Sequence, residues 1–171
     1  MIIKALGMCL VFLSCCAIGF CLGECYVSRV KELKNLYGFF ELMEGELQYS
    51  VLSVKELFLS VSPRVQGVTG EMLSLLCRKL EQDYTVPDAW KYALEKKAPS
   101  MSLKKTDCDT LKSLSHLFVS YSLEEQQEHF SRLKREVEVL IKEAEESRHK
   151  NLRLVRMLGV YGGALLCIIM F

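Results

Sequence analysis

SLEEQQEHFSRLKREVEVLIKEAEESRHKNLRLVRMLGVYGGALLCIIMF, residues 122–171, is the stretch on which the reading of this chain turns. Ser122-Leu123-Glu124-Glu125 fits a capping box. The serine side chain takes an amide one turn on, and Glu125 reaches back to the serine's own amide. A stripe of apolar or small residues follows at heptad spacing: Phe130, Leu133, Val137, Leu140, Ala144, Ser147, Asn151, Leu154 and Leu158. Steps of three and four keep these on one helix face. No Pro or Gly interrupts the stretch before Gly159, so one helix is predicted throughout. From Leu158 to Phe171 there is no charge, and the rod is expected to enter a membrane there.

The other end of the chain answers this one. Ala5 to Gly23 carries no charge and spans roughly 28 Å as a helix, about the thickness of a hydrocarbon core. Lys4 is a thin n-region and the apolar run exceeds that of a leader, so a retained span is expected. Gly19 and Gly23, extended backwards by Cys15, form a small-residue face that lets a second helix approach. Gly159 and Gly163 are its candidate counterparts in the C-terminal span. Arg29, Lys31 and Lys34 follow the first span, and Arg148, Lys150, Arg153 and Arg156 precede the second. The outer flanks hold Lys4 alone, which places the middle of the chain in the cytoplasm.

Between the spans the pattern is helical. Leu33, Leu36, Tyr37, Phe40, Leu47, Val51, Val54 and Phe58 recur at helical steps over Tyr26 to Val61, with a bend expected near Gly45 or Val51–Ser53. Ser62-Pro63 should end that element. A second helix is expected from Gly70 to Gln82 with Thr69 as its cap, and a third from Pro87 to Lys97 with Trp90 and Leu94 inward. A fourth, Leu103 to Tyr121, should bury Leu103, Leu111, Leu114, Leu117, Phe118 and Tyr121. The fold class is therefore all-α, an antiparallel helical bundle over 24–153 flanked by transmembrane helices at 1–23 and 154–171.

Composition narrows the function. With 22 basic against 21 acidic residues, nothing in the charge balance calls for nucleic acid. Six of the eight cysteines lie in or beside the apolar ends and behave as small hydrophobes, not as a disulfide framework. Cys21 and Cys25 share a helix face without a histidine nearby, and no metal or cofactor is expected. His116, His129 and His149 have no second histidine at ligand spacing. No phosphate-binding loop and no nucleophile elbow occurs. Glu44 and Glu46, two apart on a helix, diverge by about 200° and cannot act as a catalytic pair. An enzyme is not expected.

Several short segments resemble the stage III sporulation protein AB family of endospore-forming bacteria. Leu42-Met-Glu-Gly-Glu-Leu-Gln-Tyr49 resembles a family segment, matching it at Glu44, Glu46 and Tyr49, and Glu56 matches a little further on. Gln126, Ala144 and Arg153-x-x-Arg156-x-Leu158-Gly159 continue the likeness to the last span. The chain departs from it at Ser53-Val54-Lys55, where the family often has Pro-Leu-Pro, and over 114–122. The resemblance implies a platform component of the mother cell–forespore channel, similar to inner-membrane platforms of type II secretion and type IV pilus machines. It implies the mother-cell side of the engulfing membrane, other sporulation channel proteins as neighbours, and the stage III sporulation protein AA-like ATPase as cytoplasmic partner. Glu44, Glu46, Tyr49, Glu56 and Gln126 are the candidate partner-binding residues, each also compatible with an ordinary helix position. The alternative is a membrane-anchored dimeric coiled-coil adaptor joined through the Phe130–Leu158 stripe, or the same stripe packed on the chain's own helices.

Overall fold

A computed structural model describes residues 2–49, 52–119 and 123–170; within these, the side chains of Gln48, Tyr49, Gln126 and several residues near the helix ends are not described. The chain is helical, and no strand occurs among the described residues. In order come α1 (Ile2–Tyr49), α2 (Val54–Val61), a 3₁₀ turn (Ser62–Arg64), α3 (Gly67–Glu81), α4 (Val86–Lys97), α5 (Lys105–Ser113), a second 3₁₀ turn (Leu114–Phe118) and α6 (Leu123–Met170). They form two compact units. One combines residues up to Val30 with those from Glu143 onward, and the other is Lys31–Lys142.

The Lys31–Lys142 unit is built on a fully buried aromatic cluster. Phe39 and Phe40 come from α1, Phe58 from α2, Trp90 from α4 and Phe118 from the second 3₁₀ turn. Trp90 and Phe118 meet edge-on with centroids 4.9 Å apart, and Phe58 and Phe118 do so at 5.2 Å. Such tilted pairs add about 0.5–1.5 kcal/mol each beyond their area. The indole N–H of Trp90 donates to the Leu111 carbonyl at 2.9 Å, so its one polar atom is satisfied inside the core. Leu33, Leu36 and Met43 of α1, Met72, Leu73, Leu76 and Leu80 of α3, and Phe130, Leu133 and Val137 of α6 close around the rings.

Several expected boundaries move. α1 runs through Gly38 and Gly45 to Tyr49 without ending, because each glycine costs only about 1 kcal/mol against alanine. A separate helix then begins after Ser53, which caps α2: Ser53 accepts from the Glu56 amide, and Glu56 accepts from the Ser53 amide at 2.8 Å. Ser62-Pro63 does not stop the chain. Ser62 stays right-handed (φ −51, ψ −39) and the backbone tightens into a 3₁₀ turn, becoming extended only at Val65. The pre-proline bias is outweighed by burial of Ser62 and its hydrogen bond to the Phe58 carbonyl. Thr69 is not the cap of α3, which starts at Gly67 after Gln66. α4 starts within a residue of expectation, with Thr85 accepting from the Asp88 amide.

The expected helix over Leu103 to Tyr121 is two elements. α5 ends at Ser113, and the 3₁₀ turn that follows has three residues per turn. That period brings Leu114 and Leu117 to one side, and both are buried along with Phe118. The expectations at Val51, at Tyr121 and for the Ser122 capping box fall outside the described residues.

In the other unit the apolar ends of α1 and α6 run antiparallel. Positions 15, 19 and 23 of α1 lie against 163, 159 and 156 of α6 in that order. α1 is long and apolar enough to cross a membrane. On α6 the heptad stripe is buried from Phe130 to Ala144 and then turns outward, with Leu154 57% and Leu158 71% exposed. An α-helix drifts about 20° per heptad from a strict seven-residue repeat, so one stripe does not face the same side along 48 residues. Gly159 and Gly163 take over the contact with α1.

Candidate functional site

Glu44, Glu46 and Glu56 each make a defined contact within the fold, in three different directions. Glu44 turns from α1 toward α6. Its carboxylate accepts from the Ser131 hydroxyl at 2.9 Å and from the Lys134 ammonium. Burial works against its charge, but the bonds from Lys134 and Ser131 outweigh it and hold the carboxyl below its usual value. The Glu44 hydrogen bond correspondingly raises the Lys134 pKa. Glu46 points elsewhere and pairs with Arg64, just after α2, at 2.5 Å. Glu56 is spent on the cap of α2; the Ser53 amide and hydroxyl both donate to it, which lowers its pKa. Tyr49 and Gln126 lie on α1 and α6 with side chains outside the described residues. The three described acids therefore do not converge, and nothing about them resembles a paired acid and base.

The glycines are brought together. A Cβ on Gly19 would stand 3.0 Å from the Gly159 Cα and 3.2 Å from the Val155 carbonyl oxygen. One on Gly163 would stand 3.1 Å from the Cβ of Cys15. At Gly23 the nearest atoms are side chains, Leu152 at 3.1 Å and Arg156 at 3.3 Å, and Arg156 also reaches Glu24 at 3.4 Å. Backbone approaches backbone most closely at Gly19–Gly159; at Gly163 the Phe12 carbonyl oxygen stands 3.5 Å from an added Cβ.

The spacing of the sequence did not point to Glu32. It is buried on α1 and accepts from both the amide and the hydroxyl of Thr69, at 3.0 and 2.6 Å. Gln66, the residue before α3, offers no side-chain bond, so a carboxylate from another helix caps α3 instead. The available signal was a carboxylate one turn before Leu36, on the face of α1 that is otherwise apolar. Asp107 is likewise fully buried and accepts from the Lys104 amide at 2.9 Å. His116 and His129 bond backbone carbonyls, of Ser113 and Leu117. Among the described residues no three His, Cys, Asp or Glu side chains form a group that could hold a metal.

The family model described as stage III sporulation protein AB matches residues 4–171. The chain belongs to the stage III sporulation protein AB family. The stage III sporulation protein AB of Bacillus subtilis (strain 168) is 21% identical over 169 residues, covering 98% of this chain and 99% of that one. A solved structure of a stage III sporulation protein AB superposes with a TM-score of 0.63 at 18% identity, over 72% of this chain and 98% of the other. That likeness is one of fold. The pairings of Glu44 with Ser131 and Lys134, and of Glu46 with Arg64, hold neighbouring elements of the Lys31–Lys142 unit together.

Proposed function

We propose that this chain is a membrane platform component of the mother cell–forespore channel, engaging a secretion-type ATPase from the cytoplasm. The observation that carries this reading is the pair of exposed apolar faces on the antiparallel ends of α1 and α6. Leu10, Leu13 and Ile18 on α1, and Leu158, Tyr161 and Ile168 on α6, are each at least 60% exposed. Water does not tolerate a contiguous apolar surface of this kind, whereas lipid does. Both ends of the chain then cross the membrane, α6 by its last turns, with Gly19, Gly23, Gly159 and Gly163 packing the two spans. The basic flanks at 29–34 and 148–156 support a cytoplasmic Lys31–Lys142 unit, and the resemblance to the family supports the mother-cell side. Membership of the family supports the sporulation setting and the other channel proteins as neighbours.

The candidate ATPase contacts are Glu44, Glu46, Tyr49, Glu56 and Gln126, of which the three described acids face different neighbours. Glu46 is the member on which a test turns, since Glu44 also holds α1 to α6 and Glu56 caps α2. The test is binding of the full-length chain in nanodiscs to the AA-like ATPase of the same organism. Binding at about micromolar Kd, lost in Glu46→Lys, is expected. Equal binding by that variant removes that contact; no binding by the folded parent removes the ATPase as partner.

The coiled-coil adaptor is less well supported. Phe130, Leu133, Val137, Leu140 and Ala144, which would form the dimer seam, are buried within the chain itself.

A further inference from the structure

We draw no further inference here: the strongest candidate, the apolar groove of about 330 Å³ that Ile18, Leu22, Leu158, Gly159, Gly162 and Leu166 line along the antiparallel ends of α1 and α6, is a small-residue face, and nothing in the structure shows whether lipid, a second copy of the chain or another membrane helix covers it.

Discussion

Thr69 donates two hydrogen bonds to the carboxylate of Glu32, 37 residues away in sequence, in the interior of the protein. The carboxylate of one helix is the cap of another, and both residues are buried. The pair thereby fixes where α3 begins relative to α1. Removing the acceptor leaves the Thr69 amide and hydroxyl without it. Glu32→Ala is expected to destabilise the protein by about 1–3 kcal/mol, the cost of stranding a buried donor. Glu32→Gln, which keeps an acceptor, should cost less. Thermal unfolding followed by circular dichroism in detergent would order the three proteins; a Glu32→Gln as damaging as Glu32→Ala would mean that charge, not acceptance, matters.

Glu44 and Lys134 set a pH window. The carboxyl of Glu44 is held below its ordinary value of 4.5, so its contribution is complete above that pH and lost as pH falls through the lower, folded value. The pKa of Lys134 is raised above its ordinary 10.5, so its contribution is complete below that pH and lost as pH rises through the folded value. The difference in unfolding temperature between the parent and Glu44→Gln should be flat between these limits and close at the acid end. A difference that persists unchanged at pH 2 would show that the ion pair is not its source.

At Gly19 and Gly159 a side chain would collide with backbone, which cannot step aside. Gly19→Leu and Gly159→Leu are expected to push the helix ends apart, at about 1–3 kcal/mol each. Gly162 meets nothing within 4 Å, and Gly162→Ala should be neutral or slightly stabilising. Pulsed electron spin resonance distances between labels at Cys16 and Val160 report the separation directly. An unchanged distance in Gly19→Leu would show that the approach of the two helices is not set by glycine.

Trp90 is the one tryptophan of the chain and is fully buried against Phe118. Its emission should be blue-shifted and protected from acrylamide until the Lys31–Lys142 unit unfolds. Trp90→Phe leaves the Leu111 carbonyl without its donor and is expected to cost about 1–3 kcal/mol. Native emission that is red-shifted and freely quenched would contradict the core described above.

The reach of sequence reasoning differs from element to element. The third expected helix was legible to within a residue because Val86-Pro87-Asp88 carries its start signal, and the structure adds Thr85 as its cap. The buried half of the α6 stripe, Phe130 to Ala144, was equally plain from its spacing. The start of α3 was not legible. Its cap is Glu32, on another helix, and no local pattern encodes a partner 37 residues away. The break of the expected fourth helix into α5 and a 3₁₀ turn escaped for a related reason. Leu114, Leu117 and Phe118 satisfy either period locally, and the closed aromatic core selects the tighter one. Among the candidate site residues, Glu44 and Glu46 were correctly seen to diverge, because a step of two on a helix dictates it. That one would find Lys134 and the other Arg64 was not visible.

Composition and periodicity alone establish an all-helical chain with apolar ends, since those are properties of near neighbours and of the 3.6-residue turn. The seating of Gly19 on Gly159 and the capping of α3 by Glu32 belong to the folded molecule. Each joins groups far apart along the chain, and the energy that selects such a contact exists only once the rest of the core has brought them within reach.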